Sequence, residues 1–82
     1  MSVLLSSGSV STKLEHRKAL GKIIRTCRER AGISQETLAE RAELHHNYVG
    51  EVERGEKAAT IDTLVKIARG LKVRVRDLVD EL

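Results

Sequence analysis

The chain contains no proline, no phenylalanine and no tryptophan, and it has a single tyrosine, Tyr48, and a single cysteine, Cys27. Each shortage excludes something. Without aromatic side chains there is no platform on which unpaired bases or sugar rings would stack, which argues against single-stranded nucleic-acid and carbohydrate binding. One cysteine forms no internal disulfide and no cysteine-based zinc site, which fits a reducing, cytoplasmic setting. Long apolar runs are missing too. The opening "MSVLLSSGSVS" has no basic residue and an apolar run of only Val3 to Leu5, so it reads as neither a signal peptide nor a membrane span. Its serine and glycine content reads as a flexible arm over residues 1–12, ahead of one domain over 13–82.

What remains is aliphatic and charged. Eighty-two residues make one small domain with room for a single core. A core of Leu, Val, Ile and Ala suits short helices packed on one another. The net charge of +3 is unevenly spread. Seven Lys or Arg face two glutamates between residues 13 and 30, whereas eight basic residues meet ten acidic ones from Ala31 onward. The positive field sits in the first helical segment, and a polyanion is a plausible class of partner.

Periodicity and stop signals divide the chain into five helices. Leu20, Ile23, Ile24, Cys27 and Ala31 line one face of the first, with basic residues opposite, and Gly32 is its stop. Ser34 is the N-cap of a short second helix that buries Leu38, Ala39 and Ala42. After a break at "AELH", Val49 and Val52 point inward from a third helix ended by Gly55. Thr60 caps a fourth, whose inward face is Leu64, Ile67, Ala68 and Leu71 and whose end is placed at Gly70. Val75, Leu78, Val79 and Leu82 close the chain as a fifth. The expectation is an all-α fold. Segments two and three, two short helices joined by a tight turn with a small residue at the crossing, describe a helix-turn-helix.

The stretch "SQETLAERAELHHNYVGEVERGEKAATIDTLVKIARGLKV" resembles the helix-turn-helix of the lambda/434 repressor and Cro superfamily, the XRE family. Ser-Gln opens helix two, and Leu-Ala lies inside it. Tyr48 to Gly55 carries the family's Tyr-hydrophobic pattern ending in Glu-Arg-Gly. With the basic helix before it, the resemblance covers roughly residues 16–80 and implies a five-helix DNA-binding domain. Three positions depart from the pattern: Glu43 where glycine is usual, His45 where Ser or Thr caps helix three, and "AAT" at 58–60 where Pro-Ser is frequent.

A helical wheel separates the roles of helix three. Val49, Val52 and Glu53 share one face, and His46, Asn47, Gly50, Glu51 and Arg54 the other. An inward Glu53 needs a partner to stay charged. Arg28, four residues after Ile24, is the candidate, and the resemblance implies the same Arg28–Glu53 ion pair; otherwise Glu53 caps nearby amides or reaches water. His46, Asn47 and Glu51 then face base edges of the major groove. Asn47 suits adenine N6 and N7, Glu51 accepts from cytosine N4, and His46 donates to guanine or accepts from a base amine. Gly50 would let the helix backbone approach DNA closely. Backbone contacts are expected from Gln35 with the amides opening helix two, and from Tyr48, Arg54 and Lys57. Arg17, Lys18, Lys22 and Arg25 supply the wider field.

Other chemistry finds little support. Adjacent His45 and His46 diverge by about 100° on a helix and have no third ligand, so no metal is expected. No nucleophile–base pair, glycine-rich phosphate loop or paired carboxylate points to an enzyme, and no cofactor is implied. One helix-turn-helix reads few bases, so a homodimer on a pseudo-palindromic site is expected, its recognition helices roughly 34 Å apart. Val75, Val79 and Leu82 are the expected dimer surface. A domain of this size resembles restriction–modification controller proteins, small phage repressors and autorepressing antitoxins, the last paired with a toxin. The alternative from another class is a protein-interaction module docking a basic partner on Glu51 and Glu56.

Overall fold

The computed structural model describes residues 2–80 and Leu82, with side chains from residue 15 onward. The described chain is all-helical: α1 spans Ser2–Arg30, α2 Gln35–Ala42, α3 His46–Glu53, α4 Ile61–Leu71 and α5 Val75–Val79. Residues 2–12, expected as an arm, have helical backbone continuous with α1. The first buried hydrophobic among the described side chains is Leu20. Met1 lies outside the described residues.

The helix boundaries follow from local chemistry. The Ser34 hydroxyl accepts from the Thr37 amide at 3.0 Å, and Thr60 does the same for Thr63 at 3.2 Å. The α2 turn ends on Glu43 in the left-handed region, φ 57°, with the Leu44 amide donating to the Ala39 carbonyl at 2.8 Å. Lys72, φ 61°, ends α4 the same way. The stop expected at Gly70 therefore falls two residues late. Gly70 lies inside α4 instead, where a side chain would run into the Leu38 methyl at 2.9 Å. It is a contact residue, and the left-handed turn belongs to a lysine.

Ile24, Leu38, Val49, Val52, Ile67 and Leu78 are the largest fully buried side chains and come from all five helices. Burying each contributes about 1.5–3 kcal/mol relative to exposure. α2 packs on α3 and α4, α1 lies across α3, and α5 closes against α1 and α4. The α1–α3 crossing is tight at Gly21, where a methyl group would land on the carbonyl oxygens of Val52 and Glu53. That crossing fixes α3 from behind and leaves its other face outward.

Candidate nucleic-acid interface

α3 is held by its inner face. Val49 and Val52 are buried, and Glu53 beside them is only 3% exposed. Arg28 meets it with a two-pronged contact, Nε to Oε2 at 2.7 Å and Nη2 to Oε1 at 3.1 Å. The remaining prong, Nη1, donates to the Ile33 carbonyl at 2.9 Å, tying the end of α1 to the turn before α2. Arg28's pKa is raised above the ordinary guanidinium value, chiefly by its hydrogen bond to Glu53, which outweighs burial. The ion pair expected between these residues is in place. A third member was not foreseen: Gln35 Nε2 donates to Glu53 Oε1 at 2.9 Å.

Gln35 thus spends one of its two side-chain N–H donors on the scaffold and keeps the other, while the Thr37 amide in the first turn of α2 is already capped by Ser34. Gly50 is buried, with Gln35 Oε1 and Arg54 Nη1 each 3.1 Å from where a side chain would begin, so the missing Cβ makes room for these two side chains.

The outer face carries the reading row. His46 and Asn47 are exposed and Glu51 is half-buried; with Gln35, Glu36 and Arg54 they line one shallow groove floored by Gly50. The unusual cap residue works: His45 Nδ1 accepts from the Asn47 amide at 3.2 Å. This requires the imidazole to be neutral with its proton on Nε2. His45 and His46 stack, ring centroids 4.5 Å apart and planes 23° from parallel.

The expected backbone contacts surround this row, and each has a partner within the chain. The Tyr48 hydroxyl donates to the Ala58 carbonyl at 3.2 Å, pinning the loop that follows α3. Arg54 grips Glu56 with two contacts, Nε to Oε2 at 2.8 Å and Nη2 to Oε1 at 3.2 Å. That hydrogen bond raises the Arg54 pKa and lowers that of Glu56. Lys57 Nζ lies 3.5 Å from Glu51 Oε1. Both pairs depend on Gly55, which adopts φ 77° and ends α3 with Gly55 donating to Val52 at 3.0 Å and Glu56 to Glu51 at 2.9 Å. This Schellman turn folds residues 56 and 57 back alongside the helix. Glu56 as the partner of Arg54 was not legible, because two residues apart is no helical spacing.

At the far end, Val75 and Val79 are half-buried against the chain's own core, and Leu82 is 44% exposed. Sequence reasoning missed Ile61, 71% exposed in the first turn of α4. No described helix is long and apolar enough to cross a membrane.

Comparison with known proteins agrees with this architecture. The helix-turn-helix family profile matches residues 24–78. The chain is 35% identical over 65 residues to the control protein C.BamHI of Bacillus amyloliquefaciens, covering 78% of this chain and 80% of that protein. It is 37% identical over 65 residues to the control protein C.SmaI of Serratia marcescens, covering 79% and 77%. The crystal structure of the restriction-modification controller protein C.AhdI from Aeromonas hydrophila superposes with a TM-score of 0.73 at 38% identity, covering 74% of this chain and 92% of that one. The chain thus belongs to the helix-turn-helix family of XRE-type DNA-binding transcriptional regulators.

Proposed function

We propose that the chain reads double-stranded DNA sequence-specifically through α3, as a homodimeric controller or small repressor acting in the cytoplasm on a pseudo-palindromic operator. One observation carries this: an outward polar row of exposed His46 and Asn47 and half-buried Glu51 on a helix whose opposite face is locked by Val49, Val52 and the Arg28–Glu53–Gln35 network. Rigid backing of this kind is what base readout needs, since a bidentate contact tolerates little displacement. His46, Asn47 and Glu51 discriminate bases, while Gln35 with the α2 amides, Tyr48, Arg54 and Lys57 approach the phosphates. Residues 13–82 carry this activity, with residues 1–12 an arm outside it. The resemblance to the control proteins supports the regulatory role.

Substitution tests the assignment of the face. Asn47→Ala and Glu51→Ala each shift which base is preferred at one position of the site, by about 1–3 kcal/mol of discrimination. Arg54→Ala weakens binding to all duplexes alike. Fluorescence anisotropy against single-base variants of the site reads both effects. Unchanged binding by all three variants would remove α3 from the interface and favour the docking of a basic protein partner.

A further inference from the structure

Arg54 and Lys57 are the two cations of the turn that follows α3, and they are held differently. Arg54 is gripped at both prongs by Glu56, a residue with no part in reading bases. Lys57 instead rests on Glu51, a member of the reading row, at 3.5 Å. The Lys57 side chain is 56% exposed and the Glu51 side chain 30% exposed. An exposed pair at that separation is weak, and a lysine ammonium on its flexible stem reorients readily. The Schellman turn at Gly55 fixes the Lys57 backbone beside α3, so the ammonium moves between neighbours without rearranging the fold.

We propose that Lys57 is a specificity-determining residue that works by exchange. On a duplex offering no donor opposite Glu51, the carboxylate keeps Lys57, and the ammonium contributes no phosphate contact. Where a cytosine amino group meets Glu51, the carboxylate accepts from the base and Lys57 turns to a backbone phosphate. Reading one base thereby switches on one additional electrostatic contact, and a wrong sequence forfeits both. The exchange also removes a cost, because a glutamate left unpaired near phosphates would weaken binding. This rests on the reading of α3 proposed above.

Salt dependence is the readout, because each phosphate neutralised adds about 0.9 to the slope of log K against log salt. A duplex enriched by the unaltered chain from a random-sequence library and a scrambled duplex of equal length serve as probes. The unaltered chain shows a slope steeper by about 0.9 on the enriched duplex, so its preference falls about three- to fourfold between 50 and 200 mM salt. Lys57→Gln flattens the slope by about 0.9 on the enriched duplex and leaves the scrambled one unchanged. Glu51→Gln frees Lys57 and steepens the slope on the scrambled duplex by about the same amount. Both positions are on the surface, and unchanged thermal melting confirms that the variants fold. Equal flattening on both duplexes by Lys57→Gln, or none on either, overturns the exchange. Failure to enrich any duplex is visible before a variant is made, and it removes the reading of α3 together with the exchange.

Discussion

Replacing Glu53 with alanine strands Arg28. The Arg28 side chain is 13% exposed in the folded chain, and without Glu53 its guanidinium keeps only the Ile33 carbonyl as a described hydrogen-bond partner. Gln35 loses its acceptor at the same time. Breaking a buried pair from one side costs about 3–5 kcal/mol, because the surviving charge pays for desolvation without its partner. A domain of 82 residues has roughly 4–12 kcal/mol of stability in all. The variant therefore sits near the edge of folding, with Tm lowered by more than about 12 °C. Arg28→Ala is at least as severe, since the carboxylate it leaves is only 3% exposed. Joint replacement of Arg28 and Glu53 by methionine recovers most of the loss, as no unpaired charge remains. Urea and thermal unfolding followed by circular dichroism at pH 7 measure all three. A Glu53→Ala penalty below about 1 kcal/mol, the range of a solvated surface pair, would refute the scaffold role. So would a double variant whose cost equals the sum of the single ones.

Glu43→Gly relieves a left-handed residue with φ 57°, raising stability by about 1 kcal/mol and Tm by about 4–8 °C in thermal melts. The Glu56 carboxyl, held below the usual carboxylate range by Arg54, forms its pair above the ordinary glutamate pKa and loses it as pH falls through the depressed value. Carboxyl-detected NMR titration places the Glu56 midpoint below the ordinary glutamate value, and Arg54→Gln brings it back up. For the dimer, sedimentation of Leu82→Asp and Ile61→Asp separates the two large apolar side chains exposed among the described residues. Dissociation by Leu82→Asp alone supports the C-terminal surface, and dissociation by Ile61→Asp alone moves the interface to the start of α4.

Much of the fold is written in spacing. The inward stripes of α1 and α4, the Ser34 and Thr60 caps and the inward Val49 and Val52 follow from a 3.6-residue period and local hydrogen bonding, which operate within a few residues. The Arg28–Glu53 pair was legible for a physical reason: an inward carboxylate demands a cation, and few lie on the facing stripe. Gln35's part in that pair was not legible, because an amide is satisfied by many partners and the α2–α3 crossing selects one. Gly70 misled for a related reason. Glycine permits both a turn and a close approach, and only packing decides between them.

The central claim is that α3 reads base sequence. Fluorescence anisotropy of the purified chain with the duplex immediately upstream of its own gene, against a scrambled duplex of equal length, tests it at low and near-physiological salt. The account predicts a preference of about a thousandfold or more that persists at the higher salt. Equal binding to both duplexes, collapsing steeply as salt rises, would mean a basic surface meeting phosphates and would contradict it.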